Sequence, residues 1–433
     1  MEYCTRCLYP LNARPTIIFD EEDGVCSGCR YHESRESSLA NIDWDEREKM
    51  FSKICEEAKK MAKERGNSHD CIVPVSGGKD SQYQVWLLKE KYGMNPLLVT
   101  FNHTFNTPVG NKNLITMISK SGCDHIRYTA GLDSVRKLTR LMFDRVGDIT
   151  WHFHAGIQTL PFRVAVEKNI PLIVWGEHGF AELTGLVTLE DFVEHTKWKR
   201  KEHDMRGFEA EDLLGQNNLK YADIAPYIYP SDAEIAKTGV RGIYISNFFK
   251  WNAKEHGELM MKEWGFSPIT YERDRTFNLY SKIEDHANDV HDYLKYLKFG
   301  YGRATDDASS EIRHGRMTRE EGLEQVRKYD SRIPRTLEFY CDFMGLTIEE
   351  FYKRVGPMRD KSIWEQDSSG NWHVKDAVFL HEIGKKEESV RVKESSDRVF
   401  SGKNKNLYFN QANKPESTLN PILDTFPTVP EVF

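Results

Sequence analysis

Along the first half of the chain, short unbroken apolar runs alternate with stretches whose apolar residues recur at helical spacing. The runs are DCIVPV at 70–75, NPLLVTF at 95–101, DHIRYT at 124–129 and IPLIVWG at 170–176. Interleaved with them are a stretch from about Ser81, then NKNLITMISKSG, SVRKLTRLMFDRV and GIQTLPFRVAVEKN, each of which predicts a helix. Strands that are apolar without alternation are covered on both faces, so this order predicts an α/β domain, a doubly wound parallel sheet. Ligands of such sheets lie at the carboxyl ends of the strands, here Ser76, Phe101 and Gly176.

The flanks read differently. Residues 1–40 set turn formers around two Cys pairs and hold one short apolar run, TIIF, which predicts a small knuckle. From Trp44 to about Arg65, Met50, Phe51, Ile54, Ala58 and Met61 fall at helical spacing ahead of Gly66-Asn67, a helix linking the knuckle to the main body. The α/β domain with this helix is assigned to 41–190, and a mostly helical region to 191–386. At 387–433 apolar periodicity is lost, which predicts an extended or mobile tail.

With 39% hydrophobic and 29% charged residues over 433 positions, the chain can bury one large core or several ordinary ones. Its 60 Lys and Arg against 67 Asp and Glu give a net charge of −7, so no global basic field holds a polyanion and no nucleic-acid partner is expected. Apolar stretches such as IPLIVW are far too short to span a bilayer, and no charged-then-apolar leader opens the chain. The expectation is a cytoplasmic protein with no membrane partner.

The chemistry concentrates after the first strand, in Ser76-Gly77-Gly78-Lys79-Asp80-Ser81. Such a loop aims backbone N–H groups and a helix N-terminus at one point, where pyrophosphate would fit. Glycine permits close approach, Ser76 and Ser81 add hydroxyls, and Lys79 adds positive charge. Asp80 repels phosphate unless a cation intervenes, which assigns it to Mg²⁺. The spacing is not that of G-x-x-x-x-G-K-[ST], so a Walker-type ATPase loses ground. The plain alternative is a Gly-rich turn with Asp80 on the helix dipole.

The string SGGKDS after a strand resembles the signature of the PP-loop ATP pyrophosphatases, of adenine nucleotide alpha hydrolase-like fold, which split ATP between its α- and β-phosphates and adenylate a carbonyl oxygen. GIQTLPFRVAVEKNIPLIVWGEHGFAE is similar to that family's later helix-strand unit ending in G-H-H-x-x-D, here Gly176-Glu177-His178-Gly179-Phe180-Ala181-Glu182. The resemblance implies ATP and Mg²⁺, with pyrophosphate held from Ser76 through Gly77, Gly78, Lys79 and Asp80 to Ser81. Adenosine would lie against Val75 and Phe101-Asn102, with Gly176 allowing close approach. Glu177 and His178 would face the α-phosphate and the reacting carbonyl, so the expected catalytic residues are Lys79, Asp80, Glu177 and His178. Without the resemblance, Glu177 reads as a capping charge and His178 as a hydrogen-bonded loop histidine.

Cys4-x2-Cys7 and Cys26-x2-Cys29 fit a zinc knuckle, because thiolates two residues apart on tight turns bind one tetrahedral ion together. Four thiolates leave no position for water, so the expected Zn²⁺ is structural, with His32 as a spare ligand.

Two PP-loop groups join such a knuckle to the loop: tRNA thiolases, and the N-acetyl sugar amidotransferases that turn an acetamido into an acetamidino group in surface-polysaccharide (LPS or O-antigen) or nonulosonic-acid synthesis. A thiolase needs a sulfur carrier or catalytic cysteines, but ITWHFHAGIQTLPFR carries His152 and His154 and no Cys, and Cys123 stands alone. From YCTRCLYP and CSGC through PVSGGKDS to YGRATDDASSEIRHGRMTREEG at 301–322, the chain is similar to the sugar amidotransferases over about residues 2–375. In the last string Arg303, Arg313, His314 and Arg316 are candidates for the anionic part of a sugar nucleotide or sugar acid; a loop and a helix capped by Thr318, with a solvated cationic face, is the plain reading. The resemblance implies an AMP-forming amidotransferase, 191–386 as its substrate-specific region, and ammonia from separate glutaminase and cyclase-like partner subunits. The rivals are tRNA thiolation, with Trp198 amid the basic residues of TKWKRKEH, and a non-catalytic nucleotide-binding scaffold.

Overall fold

The apolar runs fold as parallel strands in a computed structural model that describes residues 1–14, 16–36 and 42–381; the expected tail lies outside them. The strands are β1 (Cys71–Pro74), β2 (Pro96–Phe101), β3 (His125–Tyr128), β4 (Leu172–Trp175) and β5 (Arg241–Tyr244), in the order β3-β2-β1-β4-β5. Cys71 stands opposite Pro96, Leu98 opposite His125, Ile72 opposite Ile173 and Leu172 opposite Arg241. The order runs outward from β1 to β3 and then restarts at β4. The crevice between the carboxyl ends of β1 and β4 is therefore a topological switch point.

Because strand side chains alternate, the sheet splits its apolar residues between two layers. Val73, Val75, Leu98, Val174 and Ile243 join Phe51 and Cys55 of α2 (Trp44–Glu64), Val85 of α3 (Lys79–Trp86) and Leu114 and Met117 of α4 (Pro108–Ser121). Ile72, Leu97, Val99, Phe101 and Ile173 pack on the other side against Leu138 and Phe143 of α5 (Leu132–Val146) and Leu160 of α6 (Trp151–Lys168). Each such side chain contributes roughly 1.5–3 kcal/mol when fully buried. α2 begins where Asp43 accepts a hydrogen bond from the Glu46 N–H at 3.0 Å, an N-cap.

Two expectations change. α6 starts at Trp151, ahead of the helical stretch read from Gly156. Asp148 accepts from both the N–H and the hydroxyl of Thr150 at 2.6 Å, and Trp151 and Phe153 are buried, so tertiary packing overrides the weak helix propensity of ITWHFH. The boundary expected at residue 190 falls inside the sheet fold, since β5 at 241–244 completes the sheet beside β4. Beyond it, helices Ala287–Phe299, Arg303–Arg313, Arg319–Tyr329, Leu337–Met344 and Ile348–Val355 stack on the α5 and α6 side, with a small hairpin at 364–374. Among the described residues no helix is long and apolar enough to cross a membrane.

Candidate active site

β1 delivers Val75 and Ser76 into the crevice, and the chain turns on Gly77 at φ +89°, a left-handed conformation in which a side chain is strained. A Cβ on Gly77 would stand 2.7 Å from the Leu114 backbone N and 2.9 Å from the Gly110 carbonyl, so glycine also lets α4 approach. Gly78 then enters α3, donating its N–H to Ser76 Oγ at 3.3 Å, while Ser81 Oγ donates to the Gly78 carbonyl at 2.8 Å. The loop is thus a preshaped turn at the N-terminus of α3, as a phosphate cradle requires.

Lys79 Nζ and Asp80 Oδ2 pair at 2.5 Å at the head of this helix. Burial alone would raise the Asp80 carboxyl, but Lys79 and then His256 hold it below the usual carboxylate range. Burial likewise opposes the charge on Lys79, and Asp80 more than restores it. His256, from helix Ala253–Glu263, stands 3.8 Å from Asp80 Oδ1 and stacks flat on Tyr83 at 3.7 Å. Tyr280 lies under the Lys79 ammonium at 5.7 Å. Asp80 is the residue here that could hold Mg²⁺.

The loop after β4 forms the opposite lip. Gly176 is forced to be small, since a Cβ would meet Gln84 Nε2 at 2.2 Å and Trp251 at 2.9 Å. Its close approach is to the protein's own side chains. Glu177 is exposed on the lip of the cleft, with its carboxyl partly withdrawn from water by the walls around it. That surrounding, with Asp80 and Glu182 nearby, pushes its carboxyl up to about 7. His178 departs from the expected role: it is 2% exposed, its Nδ1 accepts the Ala181 N–H at 3.3 Å as the N-cap of α7 (Gly179–Thr184), and its ring edges Tyr244. A capping imidazole turned inward is a scaffold for the loop.

At the end of β2, the Phe101 ring packs with Tyr128 and Tyr227 beneath Gly156 of α6, on the sheet face away from Val75. Asn102 is 1% exposed and is spent on Arg127 and Thr129 at 2.8 and 3.0 Å. Both lie where the strand end was expected, but their side chains belong to the core, so only backbone is presented at that end of the strand. Within the basic run at 196–203, Lys199 and Arg200 are engaged internally, Lys199 with Asp204 at 2.8 Å and Arg200 with Glu209 at 2.7 Å.

In the knuckle, Cys4, Cys7, Cys26 and Cys29 bring four buried sulfurs within 4.8 Å of one another. Four sulfurs about 2.3 Å from one tetrahedral ion lie about 3.8 Å apart, and Cys4–Cys29 and Cys7–Cys26 are separated by 3.9 and 3.6 Å. The cluster could therefore hold a tetrahedral metal ion. His32 packs instead on His314 at 4.4 Å.

Residues 271–378 match the family model described as LPS biosynthesis protein WbpG-like, C-terminal domain. The distal part of the chain is thus similar to a WbpG-like domain. Over 114 residues, 26% of this chain, the sequence is 25% identical to an uncharacterized protein of Methanocaldococcus jannaschii, and the match spans 38% of that protein's length. Among solved structures, the chain is similar to NH3-dependent NAD synthetase of Campylobacter jejuni at 12% identity, over 46% of this chain and 92% of that one, with a TM-score of 0.25. For NMN synthetase of Francisella tularensis the values are 11%, 64%, 94% and 0.28, and for the U34-tRNA thiolase NcsA of Methanococcus maripaludis 14%, 61%, 78% and 0.25. The chain thus joins a doubly wound parallel sheet, with a glycine cradle at its switch point, to a distal segment similar to the WbpG-like family model.

The WbpG-like domain supplies the cleft wall facing the cradle. Thr107 takes the Ile283 and Glu284 carbonyls at 2.5 and 2.9 Å, and the Phe105 carbonyl accepts the His286 N–H at 3.0 Å. This zipper sets the Glu284 carboxylate 3.4 Å from Ser76 Oγ, and a Cβ on Gly78 would fall 1.9 Å from Glu284 Oε1. Glu284 and Lys282 escaped the sequence reading; the only local hint is a charged run, KIEDH, inside a loop. Three of the expected anion-binding residues prove structural. Arg303 is buried in ion pairs with Asp292 at 2.8 Å and Asp306 at 3.1 Å. Arg313 donates to the Glu182 and Leu183 carbonyls at 3.0 and 2.9 Å and reaches Cys26 Sγ at 3.6 Å, joining knuckle to α7. His314 lies against Arg35 at 3.3 Å and the Ser310 carbonyl at 2.8 Å. Arg316 pairs with Glu311 at 2.6 Å but also reaches Asn252 at 3.4 Å, at the start of the His256 helix, and so borders the cleft.

Proposed function

We propose that this chain is an ATP-dependent amidotransferase that adenylates the acetamido oxygen of an N-acetyl sugar and uses ammonia to form an acetamidino group, in LPS or O-antigen or nonulosonic-acid biosynthesis. One observation carries the reading: the glycine cradle at the switch point opens directly onto a wall built by the WbpG-like domain. Phosphate chemistry and acceptor recognition then share one cleft.

An amide carbon resists ammonia because its oxygen is a poor leaving group. Attack of the acetamido oxygen on the α-phosphorus of ATP breaks the bridge to the β-phosphate, and the amide N–H proton is lost. The leaving pyrophosphate gathers charge beside the Gly77 to Ser81 N–H groups and Lys79, which stabilise it electrostatically. Ammonia next adds to the imidate carbon, Glu177 takes its proton, and the bond to AMP breaks, leaving the amidine. Mg²⁺ held by Asp80 would neutralise phosphate charge. Zn²⁺ suits the four-thiolate cluster and would fix the knuckle fold. Ammonia comes from glutaminase and cyclase-like partner subunits, and the site of action is the cytoplasm.

Incubation of the purified chain with ATP, ammonium and N-acetyl sugars tests the reading by mass spectrometry. The expected product is lighter than the acceptor by the difference between an oxygen atom and an NH group, with ammonium preferred over glutamine. Sulfur incorporation into tRNA in place of an amidine would overturn it.

A further inference from the structure

The loop that lays Glu284 on the cradle also holds Lys282, and this lysine is unusual in two independent ways. Its backbone is left-handed at φ +51°, a conformation unfavourable for a non-glycine residue that persists only where the surroundings impose it. Those surroundings are visible. The buried Arg273 donates to the Lys282 carbonyl at 3.0 Å and to the Ser281 and Asn278 carbonyls at 2.7 Å, while Thr107 grips Ile283 and Glu284 on the other side. A buried guanidinium, itself 3.7 Å from Asp289, thus pins the loop from Asn278 to Lys282.

The second feature is its charge. Among the described residues the Lys282 ammonium makes no hydrogen bond or ion pair, whereas its cationic neighbours Arg303 and Lys295 are paired with Asp292 and Asp306. Its side chain is exposed to solvent, as Glu177's is, and the two are close enough for their charges to interact. Lys282 therefore presents a cation that no hydrogen bond or ion pair occupies to the cleft between the cradle and the WbpG-like wall, with Glu177, Asp292 and Asp306 acting on it only from a distance. Partial desolvation and Arg303 weaken its hold on the proton against the opposing pull of Asp292 and Asp306, bringing it down to about 8, and an incoming anion would reverse that.

We infer that Lys282 is the anchor for an anionic oxygen group, a carboxylate or a phosphate, carried by the acceptor, and that this contact selects charged over neutral N-acetyl sugars. The inference rests on the amidotransferase reading for the acceptor's identity and on the loop geometry for the contact. Arg303, the cation that the sequence suggested for this task, is already neutralised inside the wall.

Calorimetric titration of the full chain with an N-acetylhexosaminuronic acid, an N-acetylhexosamine 1-phosphate and the neutral N-acetylhexosamine tests it, beside a non-hydrolysable ATP analogue. The wild type should bind one of the anionic sugars at least about tenfold more tightly than the neutral one, as loss of one charge-assisted contact implies; whichever is preferred tells carboxylate from phosphate. Lys282→Met should abolish the preference and leave the ATP analogue unchanged. Lys282→Gly relieves the left-handed strain, so it should raise the thermal midpoint while losing the same preference, which separates recognition from folding. Equal binding of charged and neutral sugars, binding of none, or a preference that survives Lys282→Gly overturns the anchor. If the anionic sugar binds through Lys282 but no amidine forms, the reaction is wrong and the anchor stands; if neutral sugars are amidinated as well as charged ones, the anchor falls and the reaction stands.

Discussion

Replacing Gly77 by alanine isolates what the cradle needs from its backbone. Two costs arise at one atom. At φ +89° an added Cβ brings about 1–2 kcal/mol of conformational strain. The same Cβ would stand 2.7 Å from Leu114 N and 2.9 Å from both Leu114 Cα and the Gly110 carbonyl, all backbone of α4 that cannot swing aside, and overpacking of this kind costs about 1–3 kcal/mol. Gly77→Ala should therefore lose about 2–5 kcal/mol in urea unfolding, as a lower midpoint with an unchanged slope. Pyrophosphate affinity should fall with it, because the loop can recover only by moving its N–H groups. Gly179→Ala is the control: no atom lies within 4 Å of its Cβ and its φ is not left-handed, so the change should stay within about 0.5 kcal/mol. A Gly77→Ala protein as stable as the control, with pyrophosphate binding intact, would refute the reasoning.

Other outcomes follow from the same geometry. Arg303→Met leaves Asp292 buried without its partner and should cost about 3–5 kcal/mol of stability, read by urea unfolding, whereas Arg316→Met at the cleft border should cost little and act on acceptor KM. With the Glu177 carboxyl pushed up to about 7, its base form grows as pH rises through that value; the rate at constant free NH3 should rise there and level off, and Glu177→Gln should flatten the profile. Chelation of a metal held by the four cysteines should speed hydrogen exchange at Gly179–Thr184, because Arg313 ties the Glu182 and Leu183 carbonyls to the cysteine cluster, while amides of β1 and β2 stay protected. Unchanged exchange in that helix would show that the knuckle does not brace the loop.

What could be read from the sequence was local. Unbroken apolar runs such as PLLVTF announce buried parallel strands, and a glycine pair between a strand and a helix announces the cradle, because each depends on neighbours a few residues away. Residues whose roles depend on distant partners were opaque. Arg303 looks like a ligand-binding cation until Asp292 is folded against it, and His178 looks catalytic until its ring is seen capping α7. Phe101 marks the right strand end but points into the wrong layer, since alternation along a short strand fixes position and not which face holds the site. Lys282 and Glu284 gave no motif, because what places them is a zipper to Phe105 and Thr107 across the crevice.

The most direct test of the proposed chemistry is the fate of the acetamido oxygen. With an acceptor labelled by heavy oxygen at that carbonyl, turnover with ATP and ammonia should place the label on the phosphate of AMP, with unlabelled pyrophosphate released. Label appearing in inorganic phosphate alongside ADP, or remaining in the sugar product, would contradict adenylyl activation at the Ser76 to Ser81 cradle.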